Sequence, residues 1–457
     1  MINRYLLILI LFIGIGISSS TSIVGQAEYF YMTRLENSQL VNIPFRLLDL
    51  NIQHQVNNKF NIFGNLGIEY RNRRDTDFMT DSNLEDFLLD IREFYMSLYI
   101  GYGEFRIGKQ IHSWGSIDEN SPIDNLNAYD YYYLLLGGAE KKLGAYSLAY
   151  DNYLGNSKIS FVYSPMHNTS RIPIDDPDYP IGLPEGSSPS EETLLFKDKT
   201  PDEFSLNFTY SFDFMDISVS SLNMYDRIFN VSGINIYANS PAGGTDPDKF
   251  SITPRYSYRR TNVLNFGTVF LFNDFTISFD YASFDSKDTN NEEDFEGLSN
   301  VDYVPMHPGL EDLLIELGNF EQFDCCQYPF SEIAFEEKVK YSQFAFQFEM
   351  PFENDFKVNA QYFKHEIDEY SSNFLDQNCE SLTNLPGFEE SDCEAIEEDL
   401  GVSLEDFSAQ NLFIPGVGMP HTIITSEAVL LNFEKGFPDS DLIVDFNAFI
   451  DMDKGRG

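Results

Sequence analysis

The sequence is poor in cysteine, tryptophan and basic residues. It has 4 Cys and 1 Trp in 457 residues, and 29 Lys and Arg against 73 Asp and Glu, a formal net charge of −44. So few cysteines argue against a fold that depends on disulfides. The excess of carboxylates argues against nucleic acid as a partner, because like charges repel.

The four cysteines fall into two groups. Cys325 and Cys326 are adjacent, and Cys379 and Cys393 flank an acidic segment. In an oxidising compartment a disulfide between Cys379 and Cys393 would close that loop. A metal site is disfavoured there because no histidine lies nearby at ligand spacing. We therefore expect neither a metal nor a cofactor.

Long apolar runs are missing beyond the N-terminus. The chain opens with MINRYLLILILFIGIGISSSTSIVGQA, in which basic Arg4 precedes an apolar run over residues 5–17 and then small residues. This layout predicts a secretory signal peptide over residues 1–27, cleaved after Ala27 or within the Ser-rich stretch. No later segment approaches the roughly 18 apolar residues of a membrane-spanning helix. Any residence in a membrane must therefore use something other than helices.

The sequence has instead a regular alternation of apolar and polar residues. In FSLNFTYSFDF, residues 204–214, Phe, Leu and Tyr occupy one parity, and Ser, Asn, Thr and Asp occupy the other. A period of two is typical of strands with one apolar and one polar face. The same pattern occurs in FNIFGNLGIEYR, KISFVYS, FTISFDYASF, YSQFAFQFEM, FKVNAQYF and LIVDFNAFID.

Short and long connections alternate strictly between these segments. The short ones carry turn residues and lie at VNNKF, GYGEF, LGNSK, DFMDI, LFNDF, FENDF and FPDSD. The long ones are polar and acidic, over residues 72–88, 115–142, 165–202, 227–250, 286–338 and 371–420. Outer-membrane barrels sort their connections in this way, with short periplasmic turns and long external loops.

We therefore predict an all-β protein, a single antiparallel transmembrane β-barrel over residues 28–457 in the cell outer membrane. Strands of about 10 to 13 residues are long enough to cross a bilayer when tilted. The sheet must close because an open edge in lipid leaves backbone groups unpaired. With a first strand near residues 28–37, we count about fifteen strands, and such barrels close with an even number. We therefore expect sixteen strands or more, and a sequence truncated at its C-terminus.

The segment FRIGKQIHSWGSIDENSPIDN, residues 105–125, contains the single tryptophan. Its first part reads as a strand whose lipid-facing parity carries Phe105, Ile107 and Ile111. The opposite parity, which we assign to the lumen, carries Arg106, Gln110, His112 and Trp114. On the preceding strand, FYMSLYIGYG, the lumen parity carries Tyr95, Ser97 and Tyr99. A polar lumen of this kind is typical of a water-filled passage.

A motif runs through this strand and the loop after it. It reads R-x-G-K-Q, then W-G, then P-x-D, and is carried by Arg106, Gly108, Lys109, Gln110, Trp114, Gly115, Pro122 and Asp124. It resembles the strand and loop of a family of poorly characterised porin-like barrels of Gram-negative outer membranes. The hairpin GAYSLAYDNYLGNSKISFVYSP is also similar to the one that follows in the family. The resemblance implies a channel or uptake protein for small molecules, without naming the solute.

We expect the loop over residues 114–124 to fold inward and narrow the passage. Arg106 would lie beneath it, with Gln110, Trp114, Asp118 and Asp124 in the constriction. Diffusion of small solutes would then depend on size and on local charge. The alternative is that Trp114 belongs to an outward aromatic girdle and that the loop has no selective role.

Other functions fit the residues less well. His112 and Ser113 are adjacent on a strand and point to opposite faces, so they cannot form a dyad, and no G-x-S-x-G or H-E-x-x-H motif occurs. We expect no enzyme. The remaining alternative is a non-conducting structural or adhesive barrel that acts through its acidic external loops. Those loops could gather divalent cations through carboxylates. We expect outer-membrane lipid and small solutes as partners, and a homo-oligomer is compatible with the sequence.

Overall fold

The computed structural model describes the strands and much of the chain between them. It describes residues 20–30, 33, 43–71, 86–134, 141–174, 179, 201–238, 250–289, 328–352, 355–372, 410, 413–437 and 442–453. Within these ranges the secondary structure is strand, with two short 3₁₀ helices at Tyr131–Tyr133 and Pro420–Ile423. Cys379 and Cys393 lie outside the described residues, as do most of the acidic loop segments.

The strands follow each other along the whole chain. In order they are β1 (Ser20–Ala27), β2 (Phe45–Asn57), β3 (Phe60–Tyr70), β4 (Phe87–Ile100), β5 (Gly103–Gln110), β6 (Ala128–Tyr129), β7 (Lys142–Leu143), β8 (Ala145–Leu154), β9 (Ser157–Ser164), β10 (Glu203–Ser211), β11 (Met215–Tyr225), β12 (Asn230–Ala238), β13 (Phe250–Ser257), β14 (Arg260–Leu271), β15 (Thr276–Lys287), β16 (Tyr328–Ala334), β17 (Lys338–Phe352), β18 (Phe356–Ser371), β19 (Glu427–Phe437) and β20 (Leu442–Asp451).

Fifteen of these strands form one antiparallel sheet. Its order is β1, β2, β3, β4, β5, β8, β9, β10, β11, β14, β15, β17, β18, β19 and β20, so each strand pairs with its neighbour along the chain once the strands of the long connections are set aside. Those other strands form a two-stranded sheet (β6 and β7) and a three-stranded sheet (β13, β12 and β16). This up-and-down order confirms the predicted class, an all-β antiparallel membrane barrel.

Short turns and long connections lie at opposite ends of the sheet, as predicted. Five of the seven predicted turns join neighbouring strands at residues 58–59, 101–102, 155–156, 212–214 and 272–275. The other two fall between β17 and β18 and between β19 and β20, largely outside the described residues. Gly101 and Gly155 have φ of 59° and 62° in two of the two-residue turns. Tight hairpin turns need positive φ, which glycine adopts without steric cost. We call these the short-turn end and the long-loop end.

Two sequence predictions about individual strands were wrong. The first strand is Ser20–Ala27, paired with β2, whereas residues 28–30 of the predicted strand lie outside any strand and most of residues 31–37 lie outside the described part of the chain. The expected loops over residues 227–250 and 286–338 contain β12 and β16, and β13 begins at Phe250. Pairing across strands, which local alternation does not encode, decides where the first strand lies. The three-stranded sheet was missed because bulges and the prolines of β13 and β16 interrupt its period of two.

The main sheet exposes apolar side chains and buries polar ones. On β10, Phe204, Leu206 and Phe208 are 43%, 52% and 44% exposed, whereas Ser205 and Asn207 are 4% and 6% exposed. A sheet in water has the opposite preference, because apolar area gains free energy when it is removed from water. The exposed face is therefore suited to lipid, and the buried polar face to a barrel interior.

The sheet curves around the segment that follows β5. The ring of His112 lies 2.9 Å from Ser147 of β8, and the backbone N–H of Ser116 donates to Asp280 of β15 at 2.8 Å. On a flat sheet the five steps from β8 to β15 would span about 24 Å. The four steps of chain from His112 to Ser116 span at most roughly 14 Å. Side chains that stand perpendicular to the sheet add little to this lateral distance. The segment therefore lies on the concave polar face, with the wall curved around it.

A buried apolar cluster joins that segment to six strands of the wall. Ile123 and Leu126 pack with residues of β8, β9, β11, β14, β15 and β17, among them Ala149, Val162, Leu222, Val263, Phe284 and Tyr341. The ring of Phe284 stacks on that of Tyr341 with centroids 4.4 Å apart. The inner face of the wall is thus apolar where this segment packs against it, and polar elsewhere on strands such as β10.

Candidate functional site

Residues 111–127, which we call the inner loop, lie inside the curved sheet. Their base is fixed to β5 and to β7. The side chain of Asn127 accepts from the backbone N–H of His112 at 2.7 Å, and donates to the carbonyls of Gln110 at 2.9 Å and Leu143 at 2.8 Å. One asparagine therefore bonds to both β5 and β7.

Gln110 and His112 are buried at this base. Gln110 is 0% exposed and donates to the carbonyl of Ser147 at 3.0 Å, and the His112 ring lies 2.9 Å from the Ser147 hydroxyl. Burial, together with nearby Arg106, lowers the pKa of His112 to about 3, so the ring is neutral at physiological pH. Both side chains were predicted to line the lumen. Both side chains lie on the inner face of the sheet, but the inner loop covers them and a solute cannot reach them.

Asp280 on β15 fixes the middle of the inner loop. One oxygen of its carboxylate accepts from the backbone N–H of Ser116 at 2.8 Å, that of Ile117 at 3.1 Å and the hydroxyl of Ser121 at 2.6 Å. Asp280 is 0% exposed. Hydrogen bonds to a carboxylate are stronger than those between neutral groups. The sequence reasoning missed Asp280, although an aspartate on the inward parity of FTISFDYASF was a signal for it.

Asp118 extends the contact to the next two strands. Its backbone N–H donates to the side chain of Gln347 at 3.0 Å, and the amide of Gln347 donates back to its carboxylate at 2.9 Å. The amide of Gln361 donates to the carbonyl of Asp118 at 3.1 Å. The inner loop thus reaches from β5 to β17 and β18 across the interior, and the Asp118 carboxylate is engaged with the wall.

Trp114 and Asp124 lie within the loop itself. The backbone N–H of Trp114 donates to the Asp124 carboxylate at 3.2 Å, and Asp124 forms an ion pair with Lys142. The Trp114 side chain packs against the buried cluster that contains Ile123 and Leu126. The indole therefore contributes to packing on the concave side of the sheet.

Arg106, Tyr95 and Tyr99 lie on the wall between the inner loop and the short-turn end. A guanidinium nitrogen of Arg106 donates to Asp151 at 2.8 Å, and Lys158 lies 3.4 Å from the same oxygen. The Arg106 side chain is 21% exposed, that of Lys158 is 37% exposed, and Tyr99 is 42% exposed. Of the predicted residues, Arg106 is partly exposed, and Tyr99 and Asp118 are exposed.

An alternating series of charges, which we call the ionic chain, fixes the segment after the inner loop. It consists of Asp49, Arg46, Asp90, Arg92, Asp130, Arg171 and Glu69. Its successive contacts measure 3.1, 2.6, 2.5, 2.9, 2.8 and 2.8 Å. It links the segment around Asp130 and Arg171 to β2, β3 and β4. The sequence reasoning missed it, because the partners are 38 to 102 residues apart where they join strands to loops.

Two further observations bear on the chemistry of the site. Over the ranges that the structure describes, no group of three or more His, Cys, Asp or Glu side chains is placed to hold a metal ion. Within the same ranges, no helix has the length and apolar content required to cross a membrane.

Comparison with known proteins gave structural similarities only. No protein-family model matches the chain, and no curated protein matches it. Among solved structures, it is similar to OmpT, an outer membrane protein of Vibrio cholerae (9% identity, 95% of this chain and 91% of that chain, TM-score 0.37). It is also similar to an anion-selective porin from Comamonas acidovorans (10%, 91% and 83%, TM-score 0.39) and to the outer membrane channel DcaP of Acinetobacter baumannii (9%, 91% and 83%, TM-score 0.37).

These similarities are too low for the solutes or activities of those proteins to be carried over to this chain. The resemblance to a particular porin-like family, based on the motif around Trp114, stays a prediction.

Proposed function

We propose that this chain is an outer-membrane channel through which small solutes diffuse, narrowed by the inner loop. The observation that supports it best is the loop itself. It crosses a polar interior and bonds to Asp280, Gln347 and Gln361 on the far wall. An apolar outer face and a polar inner face are what a pore in lipid requires. A loop across such an interior reduces its cross-section and makes passage depend on solute size.

The wall beside the loop supplies charge. Arg106 and Lys158 share the carboxylate of Asp151, and both cations are partly exposed. A solute that passes the inner loop would meet this group on the side of the short-turn end. Removing Arg106 would leave Asp151 with one cation at 3.4 Å, so that the local potential would become more negative.

The test is single-channel recording of the refolded protein in a planar bilayer, with reversal potentials in a salt gradient. We expect ohmic conductance, and a shift toward cation preference in Arg106→Ala. The matched control is Lys340→Ala, which removes an outward-facing cation paired with Glu369 and should change neither quantity. A folded barrel without conductance would contradict the proposal.

The runner-up is a non-conducting structural or adhesive barrel, and the packing around the inner loop supports it. Residues 120–131 are all buried, and a cavity of about 10 Å³, room for one water molecule, lies between Asn125, Tyr129 and Gly416. Absence of conductance together with normal folding and surface exposure of the acidic loops would favour this function.

We further propose that the barrel has no enzymatic activity. The His112 ring pairs with the Ser147 hydroxyl, but both residues are 4% exposed, and the lowered pKa of His112 makes the ring a weak base.

We also propose export by the N-terminal signal, with cleavage in the Ser-rich stretch. Cleavage there would retain β1, whereas cleavage after Ala27 would remove it.

A further inference from the structure

A second segment lies inside the barrel beside the inner loop. It spans residues 413–426, between β18 and β19, and we call it the second loop. Its residues 415–421 are all buried, although none belongs to a strand. Sequence reasoning placed these positions at the end of a long external loop and gave them no role.

The second loop is bound to the wall at β17. The backbone N–H of Met419 donates to the side chain of Gln343 at 2.8 Å, and the hydroxyl of Tyr341 donates to the carbonyl of Val417 at 3.3 Å. Gly418 has φ of 111°, and a Cβ at this position would collide with Gln343. Close approach to the wall therefore requires glycine here.

It is also bound to the chain that follows β11. The backbone N–H groups of Arg227 and Ile228 donate to the carbonyl of Gly416 at 2.8 and 3.2 Å, and Arg259 donates to the carbonyl of Ile414 at 2.6 Å. The second loop is thus attached to β17 and to the segments that adjoin β11 and β14.

The two loops meet at Asn120 and His421. The side-chain oxygen of Asn120 accepts from the backbone N–H of His421 at 3.3 Å and lies 2.8 Å from its ring Nδ1. An amide oxygen can only accept, so Nδ1 carries the proton. Asn120 is 1% and His421 4% exposed, and Met419 packs against Ile117 of the inner loop.

We propose that the second loop is a selectivity element. The contact between Asn120 and His421 holds the inner loop across the lumen, and the two loops together set the size limit for solutes. This inference rests on the proposed channel function. Asn120 and His421 are positioning residues, since they act by fixing the loops relative to each other.

The test compares Asn120→Ala with Asn120→Asp in the full chain. The alanine variant loses the acceptor for two buried donors, whereas the aspartate variant keeps an acceptor oxygen. Two quantities are measured: permeation of uncharged polyethylene glycols of increasing size into proteoliposomes, and deuterium uptake by peptides from residues 111–127 and 413–426. Folding is checked by the electrophoretic shift of unheated barrels.

We expect Asn120→Ala to admit larger polymers and to exchange about tenfold faster in both peptides, since a buried hydrogen bond is lost. Asn120→Asp should stay near wild type. The control is Asn152→Ala, which removes an amide on the outward parity of β8 that donates to Tyr150, and it should change neither quantity. If Asn120→Ala does not fold, His421→Gln is the second variant, with the same expected direction.

The outcomes separate the two proposals. Conductance by all variants with an unchanged size limit and unchanged uptake would overturn this inference and leave the channel intact. Uptake that rises in only one of the two peptides would also overturn it, because the loops would then not support each other. No conductance from any folded variant would overturn the channel function itself, and the size limit with it.

Discussion

The inner loop and the segment after it are held to opposite walls by different chemistry. Residues 116–121 bind β15, β17 and β18 through backbone N–H groups, a hydroxyl and side-chain amides. Around Asp130 the contacts to β2, β3 and β4 are the ion pairs of the ionic chain. The first wall therefore offers one carboxylate, that of Asp280, and two neutral amides, whereas the second offers a series of paired charges.

The difference decides what the loss of one partner costs. A buried ion pair gives little net stability, because both charges must leave water. Removing one member is costly, since the other is left buried and alone. A neutral amide is cheaper to bury and cheaper to lose. A single substitution in the ionic chain should therefore lower the free energy of unfolding strongly. Loss of one amide partner on β17 or β18 should lower it less.

The largest effect is expected at Asp130, which pairs with Arg92 and Arg171 and is 1% exposed. Asp130→Ala would leave two guanidinium groups short of a partner and lower the free energy of unfolding by about 3–5 kcal/mol. Urea titration of the refolded protein in lipid measures this. A loss below about 1 kcal/mol would mean that the ionic chain reorganises and is no more sensitive to substitution than the hydrogen bonds of the inner loop.

Asp280→Ala is expected to have the next largest effect and to lower the free energy of unfolding by about 2–3 kcal/mol, because three donors of the inner loop lose their acceptor. It should also raise single-channel conductance, as the loop would no longer be fixed to β15. Asp280→Asn keeps one acceptor oxygen and should lie between this variant and wild type. Equal conductance in all three proteins would show that Asp280 does not hold the constriction.

The pH dependence tests the contact between the inner loop and the second loop at His421. Burial lowers the pKa of His421 to about 3, against about 6.5 in an unfolded chain. The unfolded chain therefore binds the proton first, and stability falls as the pH drops below 6.5 toward 3. Between pH 7.5 and 5, wild type should lose roughly 2 kcal/mol relative to His421→Gln. Urea midpoints at the two pH values measure it, and parallel losses in both proteins would contradict a neutral buried ring.

The smallest effect is expected at Gln347, whose amide exchanges two hydrogen bonds with Asp118. Gln347→Ala should cost about 1 kcal/mol, because Gln361 still donates to the Asp118 carbonyl. Conductance noise should rise more than mean conductance, since the tip of the loop would gain freedom at one strand only. A loss as large as that of Asp280→Ala would place the main anchor on β17.

Much of the wall could be read from the sequence. The period of two assigned Phe204, Leu206 and Phe208 to one face, and these side chains are exposed. The five described short turns were located by their turn residues. The first strand and the three-stranded sheet were not found, because pairing partners and bulges are not encoded in local alternation.

The site could be predicted only in part. Parity assigned Arg106, Gln110 and His112 to the inner face, but it could not tell which of them the loop would cover. Asp118 and Asp124 were expected in a constriction, and both are engaged, one with Gln347 and the other with Lys142. Whether they face a solute depends on partners far away in the sequence.

The sequence by itself determined the two faces of the wall, because strand geometry turns each successive side chain to the opposite side. It also determined which end carries the long connections. Only the tertiary structure decided what fills the interior. The contacts between Ser116 and Asp280, and between Asn120 and His421, join residues 164 and 301 positions apart. Such contacts exist only once the sheet has curved and brought distant strands within hydrogen-bond reach, and no local pattern records that curvature.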